Sequence, residues 1–96
     1  MTARITVTTL RAVCDTLNRR AGFPEGTKLW RRVGDRNVAT IGMYYIDGAY
    51  GGWALHKMHN ESGGISDPFS HGHMPARELY QLMWAYMEGL EEAAKR

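Results

Sequence analysis

The run Tyr44-Tyr45-Ile46-Asp47-Gly48-Ala49-Tyr50-Gly51-Gly52-Trp53 constrains the fold more than any other segment. Aromatic and β-branched residues on either side favour extended chain. The glycines between them supply the positive φ that a tight reversal needs. The chain is therefore expected to double back here as a β-hairpin. Asp47-Gly48 is the expected turn, with one arm over Val38 to Ile46 and the next from Trp53 to about His59. Gly51-Gly52 then marks a bulge, or a place where another segment approaches the backbone closely.

Segments with helical spacing bracket this hairpin. Leu10, Val13, Cys14 and Leu17 form one apolar stripe, so a helix is predicted from about Thr8 to Arg20. Thr6, Thr8 or Thr9 can cap it, because a hydroxyl oxygen accepts a free N–H of the first turn. Arg19 and Arg20 suit the negative end of the helix dipole, and Gly22 and Pro24 end the helix. Leu79, Leu82, Met83, Tyr86, Met87 and Leu90 form the broader face of a second helix that begins near Pro75. Glu91, Glu92, Lys95 and Arg96 carry its end into water. Trp84 falls beside the apolar face, where it suits a subunit contact.

A further strand is predicted over Lys28 to Val33, turning at Gly34-Asp35-Arg36-Asn37. The order is then α-β-β-β-α. It predicts an α+β fold, a three-stranded antiparallel sheet with two helices on one face. Residues 1–96 have the size of a single domain, and no linker, repeat or low-complexity tract divides them. Trp30, Tyr44, Tyr45, Trp53 and His56 are candidates to project from the open sheet face, which water, a ligand or a second subunit would cover. A chain this short buries only about 60–65% of its unfolded surface. Its 44% hydrophobic content leaves apolar surface for self-association, so a homo-oligomer is expected.

No stretch approaches the roughly 20 apolar residues of a membrane span. Met1-Thr2-Ala3-Arg4 lacks the apolar core of a signal peptide. Cys14 is the single cysteine, so no internal disulfide forms, as small secreted domains usually require. A cytosolic protein with no membrane contact is expected. The net charge of +2 is unevenly spread: residues 1–36 hold eight Lys/Arg against three Asp/Glu, and residues 37–96 hold four against seven. The basic part comprises Arg11, Arg19, Arg20, Lys28, Arg31, Arg32 and Arg36. It is either a solvated face or a patch that attracts phosphates.

The candidate site lies between Tyr44 and His73. Bare N–H groups at Gly48, Gly51 and Gly52 can cradle an anion, and Tyr50 and Trp53 can stack on a base or ring. Equally, these glycines can serve only the turn and bulge. This is not a Walker-type phosphate loop, since no Gly-Lys-Ser/Thr follows. Glu61 to Met74 has no periodicity, and long loops in small domains are often functional. Asn60, Ser62, Gly63, Gly64 and Asp67 offer small polar groups that either close over a ligand or make an Asx- and Ser-rich connector.

Metal and catalytic signatures are incomplete. His56, His59, His71 and His73 are present, but a zinc site needs ligands that converge. His56 and His59, three apart on a predicted strand, face opposite sides. No metal or other cofactor is expected. Cys14 sits on a helix stripe as a buried structural thiol. No spacing pairs Asp47, Glu61 or Asp67 with a histidine for acid–base work, and Ser62 and Ser66 lack a nucleophile elbow. A non-enzymatic binding protein is expected.

The α-β-β-β-α order is similar to that of the double-stranded-RNA-binding domain. That family grips phosphates with a lysine cluster opening its last helix; here Pro75-Ala76-Arg77-Glu78 stands there, so the likeness is topological. The chain also resembles small proteins encoded by tailed phages and prophages. The likeness rests on Tyr44, Gly48-Ala49-Tyr50-Gly51-Gly52, Asn60, Gly63-Gly64, Asp67 and Arg77-Glu78-Leu79-Tyr80, and covers about residues 38–90. It implies a place in the cytoplasm of an infected bacterial host and a role against host machinery or defence, for instance sequestering a nucleotide-derived immune signal. Tyr50 and Trp53 would then stack on the base, with Tyr44 and Ala49 also in the ligand-binding set, and the backbone of Gly48, Gly51, Gly52, Gly63 and Gly64 would bind the phosphates. Lys57 or Arg77 would neutralise charge, and Asn60, Ser62 and Asp67 would hydrogen-bond a ribose or base edge. The alternatives are a nucleic-acid-binding module using the basic N-terminal half, or a direct inhibitor of a host protein.

Overall fold

The computed structural model of the chain describes residues 4–70 and 72–95. The first helix, α1, spans Val7–Arg20. The Thr6 hydroxyl caps it by accepting the Thr9 N–H at 3.4 Å. Its stripe of Leu10, Val13, Cys14 and Leu17 is buried, and Gly22 leaves the helix with φ +103°. The second helix, α2, spans Ala76–Ala94 and follows Pro75. Leu79, Met83 and Met87 recur every fourth residue and are buried, with Tyr80, Leu82, Trp84 and Tyr86 partly buried beside them. Each fully buried Leu or Met contributes about 1.5–3 kcal/mol relative to exposure.

Five strands lie between the helices: β1 (Trp30–Val33), β2 (Arg36–Ala39), β3 (Tyr44–Ala49), β4 (Gly52–Met58) and β5 (Ile65–Ser66). The antiparallel sheet β3-β4-β5 has β4 at its centre, while β1 and β2 form a separate two-stranded ribbon. The fold is the expected α+β arrangement with an added small sheet. The third strand of the main sheet comes from the segment read as a loop, and the strand predicted over Lys28 to Val33 belongs to the ribbon.

Two departures from the sequence reading have clear causes. The arm predicted from Val38 to Ile46 breaks in two at Gly42, which adopts φ +88°, within a turn closed by Met43 N–H to Thr40 C=O at 3.2 Å. A glycine inside a strand pattern marks such a bend. The hairpin turn is not Asp47-Gly48 but Tyr50-Gly51, both at positive φ (54° and 73°), as the mirror-image hairpin turns require. This register sets Ile46 opposite Leu55 and Gly48 opposite Trp53. A turn at Asp47-Gly48 would instead set Ile46 opposite Ala49 and Tyr44 opposite Gly51, leaving the two apolar arms out of step.

Strand alternation divides the sheet into two faces. Tyr44, Ile46, Trp53 and Leu55 face the helices and join the core with Leu10, Leu17, Leu79 and Met83. Tyr45, Asp47, Ala54 and His56 belong to the opposite face. Buried Asn18 ties α1 to the sheet: its Oδ1 accepts the Tyr44 N–H at 2.8 Å and its Nδ2 donates to the Tyr44 C=O at 2.9 Å. Both backbone groups at the start of β3 are thus satisfied where no strand reaches them. Among the described residues no helix is long and apolar enough to cross a membrane.

Candidate functional site

The face turned away from the helices gathers polar side chains in one row. Asp47 pairs with Ala54 across β3 and β4. The antiparallel bridge between Trp53 and Met74 then brings His73 opposite Ala54 on the other side of β4. Asp47 and His73 therefore flank a residue too small to separate them. They meet above it, with His73 Nε2 2.7 Å from Asp47 Oδ2, and Ala54 beneath is fully buried. His56, two residues along the same face, brings its ring centroid to 6.1 Å from that of His73. Its Nδ1 lies 3.3 Å from the Tyr45 hydroxyl, and the two rings meet edge to face. Burial, and secondarily the Asp47 charge, pushes the Tyr45 phenol up from its ordinary value.

Two glycine-region features hold this row in place. A Cβ on Gly52 would lie 3.0 Å from both N and O of Met74, so only glycine lets the 73–74 segment pair closely with β4. The close approach expected at Gly51-Gly52 is therefore made by the chain itself. Tyr50 is 97% exposed at the hairpin tip and meets the His73 ring edge to face, with centroids 5.6 Å apart. Positive φ in a bulky residue is strained, and such strain clusters at functional positions.

The remaining expected site residues do not assemble into one cradle. Gly48 lies under the Trp53 ring, which a Cβ would meet at 2.5 Å, so its role is packing toward the core. Gly63 lies under the Trp30 ring, 2.6 Å from a built Cβ. Asn60 Oδ1 accepts the N–H groups of Ser62 and Gly64 at 3.0 and 2.9 Å, which makes this segment an Asx-type turn. Asp67 is likewise engaged: Oδ1 accepts from Phe69 and Ser70, and Oδ2 from Gly72. The Gly48–Gly52 and Asn60–Gly64 groups sit at opposite ends of β4. At about 3.3 Å per residue, its length separates them by roughly 20 Å. Ala49 pairs with Gly52 beside the tip. Lys57 is spent on the helix side, its Nζ 5.4 Å from the Tyr44 ring centroid. Arg77 is exposed in the first turn of α2 beside Glu78.

Asp47, His56 and His73 thus form a group the sequence reading did not assemble. One signal was available. With the turn at Tyr50-Gly51, pairing alone brings Tyr45, Asp47 and His56 onto one face. His73 needed the bridge at Met74, which has no local signature. His59 is exposed just beyond β4, and His71 lies outside the described residues. Cys14 is the buried thiol expected, pushed up to about 12 chiefly by burial and then by Asp15, so it is no nucleophile.

The ribbon is a second surface of opposite character. Every residue from Trp30 to Asn37 is exposed. Arg31 and Arg36 share one face with Val33, and Arg32 and Asn37 share the other. Among the described residues no carboxylate is ion-paired with Lys28, Arg31, Arg32 or Arg36. The ribbon is anchored at its base by Thr40 Oγ1 to Lys28 C=O at 2.7 Å and by Ala39 N–H to Glu61 C=O at 2.9 Å. Neither a family model, nor a curated protein, nor a solved structure matches this chain.

Proposed function

We propose that the protein binds duplex DNA through the β1–β2 ribbon. One observation carries this reading: a bare two-stranded ribbon presents unpaired cations on both of its faces. The major groove, about 12 Å wide, admits a two-stranded ribbon, whose strands lie about 4.8 Å apart. Its walls are the two phosphate backbones, so a ribbon entering tip first needs cations on both sides. Arg31 and Arg36 serve one wall and Arg32 the other, with Lys28 at the base. Asn37 suits an adenine edge. The major groove of A-form RNA is too narrow for this mode. Asp35 is the one acid within the ribbon itself, at its turn.

Fluorescence anisotropy with a labelled duplex tests the reading. Four phosphate contacts predict that affinity falls about 150-fold between 50 and 200 mM salt. No binding at the lower salt, or binding indifferent to salt, removes it.

A second reading keeps a small nucleotide ligand, in line with the phage resemblance, and is favoured by Tyr50, whose ring is free to stack at the hairpin tip. A single stacking residue supports a base contact worth about 1–3 kcal/mol, not the full phosphate cradle. Calorimetry against cyclic and linear nucleotides with Tyr50→Ala as the control decides it; the absence of heat with every member excludes this reading.

A further inference from the structure

We propose that Asp47, His56 and His73 form a binding site for a divalent transition-metal ion of the zinc class. One ligand atom from each of the three lies within 4.8 Å of those of the other two. A tetrahedral ion with ligands at about 2.1 Å sets them about 3.4 Å apart, so the ligand atoms need to draw together by roughly 1.4 Å at most.

The chemistry of the donors selects the ion. Two imidazoles and one carboxylate suit Zn²⁺, Fe²⁺, Co²⁺ or Ni²⁺. Mg²⁺ and Ca²⁺ take oxygen ligands and are disfavoured. The Asp47–His73 contact at 2.7 Å is the metal-free form of the site: the ion takes the place of the shared proton, as metal binding at histidine generally does.

Support for the ligands is already in place, which separates this group from a chance cluster. The Tyr45 hydroxyl engages His56 Nδ1 at 3.3 Å, the kind of outer contact that orients a ligating histidine. Asp47 and His56 stand on paired strands in the same sheet. His73 is clamped by the reciprocal Trp53–Met74 hydrogen bonds of 2.8 and 2.9 Å. Sites on regular elements hold geometry better than sites on loops. Three protein ligands on one side leave the outer positions of the ion to water or to an exogenous ligand, the pattern of reactive rather than purely structural zinc. Tyr50 lies beside the site, its ring centroid 5.6 Å from that of His73.

The test is titration of chelator-treated full-length protein with Co²⁺, read by its visible absorption, followed by displacement with Zn²⁺. One saturable equivalent is expected. Asp47→Asn and His73→Ala should each weaken binding at least 100-fold, and His59→Ala should leave it unchanged. Because ligand variants can disturb the sheet, Tyr45→Phe is the gentler probe. It keeps the ring and loses only the hydroxyl, and it should cost about 10–100-fold while the circular dichroism spectrum stays as it was. Two results overturn the proposal: no stoichiometric binding of Co²⁺, Zn²⁺ or Ni²⁺, or binding that survives Asp47→Asn and His73→Ala but falls with His59→Ala.

Discussion

The ribbon and the sheet face are both polar surfaces, yet they are built in opposite ways. The ribbon draws its cations from nine consecutive positions, Lys28 to Arg36, each exposed and without a charge partner among the described residues. The sheet face draws three potential ligands from three separate chain segments, half-buried and already in contact. One surface depends on composition, the other on register. A register-dependent surface can be destroyed by a single misplaced methyl, whereas a composition-dependent one weakens charge by charge.

Gly52 is the sharpest place to break that comparison. Gly52→Val forces side-chain atoms onto Met74 backbone that a Cβ alone would approach to 3.0 Å. Loss of the Trp53–Met74 bridge should release His73 and reduce Co²⁺ binding more than 100-fold. The strain should also cost about 1–3 kcal/mol of stability. DNA affinity should hold within a factor of two, because the ribbon shares no pairing with β4. Parallel loss of both activities in a variant that still melts cooperatively would contradict the independence of the two surfaces.

The complementary variant removes Arg31, Arg32 and Arg36 together by substitution to alanine. Each lost phosphate contact should lower the slope of log affinity against log salt by about 0.9, leaving a slope near one. Stability should change little, since exposed charges without partners contribute within about 0.5 kcal/mol. Co²⁺ binding should be untouched. An unchanged salt slope would mean that the cations reside on a solvated face and touch no phosphate.

Asn18 tests the sheet face from behind. Asn18→Ala leaves both the N–H and C=O of Tyr44 without the partners they have now. An unsatisfied buried group costs about 1–3 kcal/mol, and 1 kcal/mol is worth roughly 4–8 °C in a domain this size. Two such groups at the low end of that range, about 2 kcal/mol together, predict a fall in Tm of roughly 8–16 °C. The adjacent Tyr45 should shift with β3, so Co²⁺ affinity should drop several-fold, less than with Gly52→Val.

How far the sequence reveals these surfaces follows from the same contrast. The stripes Leu10–Leu17 and Leu79–Met87 announce both helices, because helical burial repeats at a short local period. The Thr6 cap and the cationic cluster are equally local and were legible. The hairpin tip was misplaced by three residues because Asp47-Gly48 and Tyr50-Gly51 both have turn chemistry, and only the match of Ile46 with Leu55 decides between them. Gly42 hid a break because the residues on both sides are β-formers. In the expected ligand set, Asn60, Gly64 and Asp67 were selected for residue type, and their polar atoms turned out to close their own turns. His73 meets Asp47 across 26 positions of sequence, through a bridge that leaves no pattern in the chain.

The smallest effect concerns the packed side of the sheet, opposite the metal-binding row. Burial, with a lesser contribution from Asp15, pushes Cys14 from 9.0 up to about 12. Tyr86 is pushed from 10.0 up to about 12 by burial first and then by its hydrogen bond to Tyr44, with Lys57 opposing. Both groups hold their protons more tightly folded than unfolded, so the folded state is favoured in full below their unfolded values. That contribution shrinks as pH rises from about 9 and is gone once both folded values are passed near 12. Melting curves should therefore show Tm nearly flat up to pH 9 and falling above it. Cys14→Ala removes one of the two groups and should flatten the first part of the decline by a few degrees, at the cost of a slightly lower Tm at pH 7. If the curves of variant and parent run parallel from pH 9 to 12, the thiol ionises without cost to the fold and the packing assigned to α1 against β3 is looser than described.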